Sequence, residues 1–291
     1  MTTGRDRDMF EEIAAGLVEG TIIPYLGPGV FQTQAGVPVG PSELADWLCH
    51  KIAVPGRIRG NLTAVAQYIE NFKHRKTLTH LMNEAFTPET VPAPAHRLLS
   101  ALPRLRLVVD TWYDGTTALA LMGSGEQGRT VCQITGVSRS EHPNDWVRYA
   151  GGGASIEAAD TVLYKPHGSV YPEPNFLVSD ADYVEVLTEI DIQTPIPPVV
   201  QRLRTGSHFL FLGCRFNQQL DRIFARQIMK RSSDRHWAVL DGELSKKEAQ
   251  FLAVQGILPI RKELQEFIGE LAGRWPVVSH TGGETVSCKS V

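Results

Sequence analysis

The sequence has few cysteines, and the four it has lie far apart. Cys49, Cys132, Cys214 and Cys288 offer no pair close enough in sequence for a zinc ribbon or a CxxC redox site. Scattered cysteines without a disulfide framework are typical of a reduced, cytoplasmic protein. We therefore expect a cytoplasmic protein without a metal centre.

Long apolar runs and an excess of one charge are also missing. No apolar run reaches the roughly 18 residues that cross a membrane, and the first residues lack the apolar core of a secretory signal. Lys and Arg number 29 and Asp and Glu 32, so the formal net charge is −3. This balance disfavours a basic nucleic-acid clamp. We expect neither membrane binding nor direct nucleic-acid binding.

Short apolar runs that end in glycine or polar residues are what the sequence does contain. Their length suits buried strands of a parallel sheet. The predicted strands are 21–26, 106–109, 131–134, 161–164, 209–212 and 237–240. Helical patterns alternate with them over 94–102, 179–190, 195–204 and 220–228, and a capping box begins a helix at Ser245. The alternation predicts an α/β fold.

Two segments interrupt this alternation. Residues 57–86 have a helical pattern without a strand, which predicts a helical insertion. Residues 123–154 carry seven glycines, which predict a loop around one strand. We expect a single domain over residues 1–278, followed by a disordered tail over 279–291.

Glycines and titratable side chains follow five of the predicted strands. In an open α/β sheet, ligands bind beyond the carboxyl ends of the strands, so these segments predict one site. The segments are Gly27–Gly29, Asp110–Asp114, Lys165–Ser169, Gly213–Asn217 and Asp241–Gly242.

The Gly27–Gly29 loop favours a phosphate, although a plain structural turn explains it equally well. Glycines let a backbone approach a phosphate closely, and a following helix N-terminus favours the anion. The dinucleotide fingerprint of dehydrogenases needs a third glycine, where this chain has Gln32, and a later acid, where it has Cys49 and His50. Hydride transfer to a nicotinamide is therefore disfavoured.

Four motifs in order resemble the sirtuin-like domain family, in particular its bacterial branch that degrades NAD in antiphage defence. The resemblance spans about residues 15 to 260. Its motifs are Gly27-Pro28-Gly29-Val30-Phe31 with Gly36-Val37-Pro38, Asp110-Thr111-Trp112-Tyr113-Asp114, Lys165-Pro166-His167-Gly168-Ser169 and Gly213-Cys214-Arg215.

The resemblance implies a Rossmann-like parallel sheet with helices on both faces, and NAD as the ligand or substrate. It implies that His167 is a general base and that Asp114 lies near the nicotinamide. The other residues that it implies for NAD binding are Gly27, Pro28, Gly29 and Val30 at the pyrophosphate, Thr111 and Trp112, Gly213 and Cys214 at the adenosine ribose, and Asp241 at a ribose hydroxyl.

Three departures from the family pattern bear on activity. Trp112 replaces an asparagine that the family uses in catalysis, and an indole N–H cannot copy an amide. Pro28 removes one backbone N–H from the phosphate loop. The zinc-binding cysteines of protein-deacylating sirtuins are absent. A deacylase is therefore the least favoured of the functions that the resemblance implies.

Structural roles remain as alternatives for several of these residues. Asp114 could cap the helix that follows it, Trp112 could fill the core, and Cys214 could be a buried small hydrophobe. Asp241 could cap a turn.

Two functions therefore lead. The first is an NAD glycohydrolase that releases nicotinamide and ADP-ribose, held inactive until a homo-oligomer or a partner protein encoded nearby switches it on. The second is a catalytically degenerate subunit that binds NAD or ADP-ribose. His167 favours the first, and Trp112 favours the second.

Overall fold

The computed structural model describes residues 4–31, 36–87, 90–123, 129–135, 147–150, 156, 158–193 and 196–274. Its strands are β1 (Ile22–Leu26), β2 (Leu107–Asp110), β3 (Val131–Thr135), β4 (Val147–Ala150), β5 (Thr161–Lys165), β6 (Gly168–Ser169), β7 (Asn175–Phe176), β8 (His208–Leu212), β9 (His236–Leu240) and β10 (Ile257–Arg261). Its helices are α1 (Gly4–Glu19), α2 (Pro41–Lys51), α3 (Leu62–Ala85), α4 (Pro94–Ser100), α5 (Thr116–Met122), α6 (Asp180–Gln193), α7 (Pro198–Arg204), α8 (Gln219–Ile228), α9 (Lys246–Val254) and α10 (Leu264–Gly273).

The main sheet has the order β10-β9-β8-β1-β2-β5-β3-β4. Its neighbouring strands pair in parallel, except for β3 with β4, which are antiparallel. Seven parallel strands with helices around them make an α/β, Rossmann-like fold, as predicted. The chain leaves β1 towards β2 on one side and returns as β8 on the other, so a topological switch point lies between β1 and β8.

The six predicted strands are confirmed because they are buried on both faces of the sheet. Such strands read as continuous apolar runs rather than as alternating ones. In β1 every residue is buried, and the same holds for β2, β3, β5 and β9. The edge strand β10 was missed because Leu258, Pro259 and Arg261 are exposed and interrupt its apolar pattern.

The prediction of one strand within residues 123–154 is wrong, because β4 pairs with β3 at the sheet edge. The four residues of β4, Val-Arg-Tyr-Ala, form neither a continuous apolar run nor a regular alternation, so they give a weak sequence signal. Most of the remaining residues of this segment, and the tail over 279–291, lie outside the described residues.

Helical segments between the strands also match the sequence. The helix α3, which is kinked at His74, accounts for the helical pattern over 57–86. The Asn61 side chain caps its start by accepting from the Ala64 N–H. Ser245 and Glu248 form the predicted capping box of α9. Among the described helices, none combines the length and apolarity needed to cross a bilayer.

Candidate functional site

A cavity of about 380 Å³ opens where β1, β2, β5 and β8 end, at the switch point of the sheet. The starts of α2 and α8 complete its wall. Seven of the site residues predicted from the sequence line it, namely Gly27, Pro28, Gly29, Thr111, His167, Gly213 and Cys214.

The other four predicted site residues lie elsewhere among the described residues. Val30 is fully buried in the core, and Asp241 is exposed and accepts from the Gly242 N–H at 2.7 Å. The Trp112 indole is 2% exposed and donates to the Pro38 carbonyl at 3.2 Å. Trp112 thus fills the core, and Asp241 caps a turn, as the structural alternatives for these two residues expect.

Asp114 is also buried, and its carboxylate serves the backbone of α5. It accepts from the Thr116 N–H at 2.8 Å, as the capping alternative expects. Burial raises the pKa of this carboxyl to about 6, although Lys165 opposes the shift. Asp114 therefore caps α5 and is not among the residues that line the cavity.

His167 is a neutral imidazole whose two ring nitrogens differ in their hydrogen bonding. Burial lowers its pKa to about 4, and a hydrogen bond to the Thr111 backbone partly opposes this shift. Because that bond favours the protonated ring, its acceptor is the Thr111 carbonyl. Nε2 has no hydrogen-bond partner among the described residues, so Nδ1 is the donor. This tautomer leaves Nε2 as a proton acceptor.

A buried ion pair holds the segment that carries Thr111. Lys165 Nζ donates to Asp110 Oδ2 at 2.9 Å and to the Asp114 carbonyl at 2.8 Å. The other Asp110 oxygen accepts from the Trp112 N–H at 2.9 Å. The two ends of the Asp110–Asp114 segment are thereby fixed, and with them the carbonyl that orients His167.

In the described residues 27–31 of the loop after β1, every backbone N–H group is donated within the protein. Gly27 donates to the Leu212 carbonyl at 2.8 Å, and Gly29 to the Gly213 carbonyl at 2.9 Å. The next two N–H groups, of residues 30 and 31, close a short 3₁₀ turn onto the carbonyls of residues 27 and 28. Proline at position 28 has no N–H.

A sequence model of the SIR2-like domain matches residues 106–260, more than half of the chain. The chain belongs to the SIR2-like domain family. SIR2-like domains bind NAD, so the function of this chain is sirtuin-like and NAD-related. No curated protein matches the sequence. Among the described residues of this SIR2-like domain, no group of three or more His, Cys, Asp or Glu could hold a metal ion.

The structure of the loop after β1 differs from the phosphate cradle predicted for NAD. The pyrophosphate does not find the cradle predicted over Gly27–Val30, because those N–H groups are already donated. Glycine at position 29 instead lets this loop pack closely against the loop after β8, because a Cβ there would lie only 2.8 Å from the Gly213 carbonyl oxygen.

Asp221 is a cavity residue that sequence reasoning missed. It lies in the first turn of α8 and lines the cavity together with His167. Burial raises the pKa of its carboxyl to about 7, although Arg222 and the Gln218 N–H oppose the shift. An acid in the first turn of a helix is ordinary in sequence, so its place beside the cavity emerges only when β8 packs against β1.

Arg215 also lines the cavity, but its guanidinium is bound elsewhere. Nε and Nη2 donate to the two Glu248 oxygens at 3.0 Å each, and Nη1 donates to the Asp241 carbonyl at 3.1 Å. Burial alone would raise the pKa of Glu248, but hydrogen bonds from Arg215 and from the backbone N–H groups of Ser245 and Phe216 bring it to about 2. Arg215 is therefore neutralised by a carboxylate that stays ionised.

The pair predicts a pH-dependent contribution to stability. Because the pKa of Glu248 is lower in the folded chain than in the unfolded one, its contribution is present above about pH 4.5 and is lost as the pH falls towards 2. In urea unfolding, Glu248→Gln should therefore lose stability at pH 6, and its difference from wild type should shrink by pH 3. The exposed control Glu243→Gln should change little at either pH, and a constant difference for Glu248→Gln would contradict the assignment.

Proposed function

We propose that this SIR2-like domain hydrolyses the bond between nicotinamide and ribose in NAD, releasing nicotinamide and ADP-ribose. The observation that carries the proposal is His167, a neutral imidazole held by the Thr111 carbonyl in the wall of the cavity at the strand ends. Its Nε2 is buried and has no hydrogen-bond partner among the described residues. Membership of an NAD-binding family supports the same substrate.

The reaction needs a base and a site that tolerates positive charge. The C–N bond breaks, its electron pair stays on the nicotinamide nitrogen, and the ribose becomes an oxocarbenium ion. Water then adds to the anomeric carbon and gives up a proton, which Nε2 of His167 can accept before passing it to solvent. A neutral imidazole at pH 7 suits this step.

His167→Ala should lower nicotinamide release by about 10²–10⁴-fold, because it removes the base. The measurement is chromatographic detection of nicotinamide from NAD with the purified chain. His50→Ala is the control, since His50 is exposed on α2. Equal release by His167→Ala and wild type would remove His167 from the mechanism.

A second candidate function is nucleotide binding without turnover. It is supported by Trp112, which stands where the family has asparagine, and by the loop N–H groups that are donated within the protein. Its expected result is bound NAD or ADP-ribose with no nicotinamide released. Trp112→Asn does not test this candidate by itself, because removing the buried indole should lower the free energy of unfolding by about 3–5 kcal/mol.

We further propose that turnover is regulated, by a homo-oligomer or by a partner protein encoded nearby, as part of antiphage defence. The supporting argument is chemical: uncontrolled loss of NAD is toxic to the cell that makes the enzyme. Rapid turnover of NAD by the freshly purified chain alone would contradict regulation by a trigger.

A further inference from the structure

We propose that the groove between α8 and α9 binds an acidic amphipathic helix of a partner protein. The groove has a volume of about 460 Å³ and shares no lining residue with the candidate site. All the residues that line it belong to the stretch 196–274, which the structure describes without a gap. The inference concerns a second surface of the chain and does not rest on the proposed function.

One face of each helix lines the groove. Arg222 and Arg226 lie four residues apart on α8, and Lys247, Phe251 and Val254 lie four and then three residues apart on α9. Side chains at these spacings share one face of a helix. Because α8 has ten residues, it is about 15 Å long. About three turns of a docked helix would match that length.

Apolar side chains form part of the groove wall. Ile223 and Phe251 are partly buried there, whereas Val254 is 71% exposed. Val254 is the most exposed large apolar side chain in the described part of the chain. Apolar side chains grouped in a groove with a polar rim are typical of an interaction site, whereas scattered ones are ordinary. An amphipathic helix would cover them with its apolar face.

The charge of the groove is positive. Arg222, Arg226 and Lys247 line it, and none of its described lining residues is an acid. Neither Arg226 nor Lys247 forms an ion pair within 4 Å with a described residue. Acidic side chains on both flanks of a docked helix would therefore find cations on both walls.

The acids of the two helices serve other contacts. α8 and α9 contain one acid each, Asp221 and Glu248. Asp221 lines the cavity at the strand ends, and Glu248 accepts from Arg215 with both its oxygens. The groove thus receives no counter-charge from the helices that form it, which favours an acidic partner.

α8 connects the groove with the candidate site. Its residue Asp221 lines the cavity, and the next residue, Arg222, lines the groove. Arg222 Nη1 donates to the carbonyls of Phe216 and Asn217, two further residues of the cavity wall, at 2.5 and 2.8 Å. A helix docked in the groove would therefore lie against the element that forms one side of the candidate site.

Other occupants fit the groove less well. Residues 275–291 carry one acid and one lysine, Glu284 and Lys289, so this segment of the chain does not provide an acidic helix. A nucleic acid would pair with the cations, but its sugars and phosphates would lie over the apolar side chains. An acidic amphipathic helix complements both the charge and the apolar surface.

Fluorescence anisotropy with a synthetic helical peptide and the full chain tests the inference. The probe has about 15 residues, with leucines along one face and glutamates on both flanks. It should bind the wild-type chain at least about tenfold more tightly than a matched peptide with lysines in place of the glutamates. Equal binding of the two peptides, or no binding of the glutamate peptide, would overturn the inference without any variant.

Charge reversal locates the binding surface. Arg226→Glu combined with Lys247→Glu should weaken binding of the glutamate peptide by about tenfold or more, because two attractions become repulsions. The control is Lys73→Glu with Lys76→Glu, which makes the same change of charge on exposed residues of α3 and should leave the affinity unchanged. Equal weakening by the two pairs would show a general charge effect and overturn the assignment to the groove.

The apolar contact has a test of its own. Val254→Ser should weaken the peptide about threefold to tenfold, because the leucines lose an apolar partner. Val184→Ser is the control, since Val184 is a 65% exposed valine on α6, and it should have no effect. Unchanged affinity for Val254→Ser would mean that the peptide does not lie in the groove.

Two further outcomes would assign the groove to another occupant and overturn the inference. One is tighter binding of a single-stranded DNA oligonucleotide than of the peptide, lost on charge reversal at Arg226 and Lys247. The other is self-association of the wild-type chain in size-exclusion chromatography that the same reversal abolishes. Binding is measured without NAD, so the result is independent of whether the chain hydrolyses NAD.

Discussion

Replacing Lys165 by methionine should lower the free energy of unfolding by about 3–5 kcal/mol, because it breaks a buried ion pair from one side. Both partners are almost inaccessible: the side chains of Lys165 and Asp110 are 1% and 0% exposed. Without the ammonium group, the Asp110 carboxylate stays in the core without its counter-charge. Methionine is close to lysine in length, so the loss reports charge rather than volume.

Urea unfolding with a matched lysine measures this effect. Lys51 pairs with Glu84 at 2.6 Å, but these side chains are 40% and 43% exposed. Exposed pairs contribute about 0–1 kcal/mol, so Lys51→Met should cost little. Similar losses for the two variants would mean that the Lys165 pair is hydrated in solution.

The same ion pair connects the stability of the fold with the candidate site. Lys165 and Asp110 fix the backbone on both sides of Thr111, whose carbonyl holds the His167 ring. His167 lies two residues after Lys165 on the same segment. One buried contact between the neighbouring strands β2 and β5 thus places both His167 and the carbonyl that orients it.

The sequence predicts the sheet and the location of the site because both follow from local patterns. Strands buried on both faces form continuous apolar runs, and the residues after them must meet at one edge. As this rule predicts, Gly27, Thr111, His167 and Gly213 line one cavity in the structure. The edge strand β10 was not predicted because three of its five residues are exposed.

The finer features of the site depend on contacts between distant segments, which one sequence does not specify. In the sequence, the N–H groups of Gly27 and Gly29 look available for a phosphate, but in the structure the carbonyls of Leu212 and Gly213 at the end of β8 accept them. In the sequence, Asp221 is an ordinary acid at the start of a helix, and only the structure shows that it lines the cavity. Trp112 was interpreted through a motif position, but packing against α2 and α3 decides where its indole lies.

Gly213→Ala should destabilise the fold through two separate effects. Gly213 has φ +63°, and a left-handed conformation costs an L-residue about 1–2 kcal/mol. A Cβ at this position would lie 2.3 Å from the Val30 nitrogen and 2.5 Å from the Gly29 carbonyl carbon. These are backbone atoms that cannot rotate aside, so overpacking should add about 1–3 kcal/mol.

Gly242→Ala separates the two effects because it shares only the first. Gly242 has φ +70°, follows the neighbouring strand β9, and has open space where the Cβ would lie. In urea unfolding, Gly242→Ala should therefore show the conformational cost alone, and Gly213→Ala should exceed it by the overpacking cost. Equal losses would mean that the loops after β1 and β8 are further apart in solution. The N–H groups of Gly27 and Gly29 would then be free to bind the pyrophosphate of NAD, as the sequence predicts.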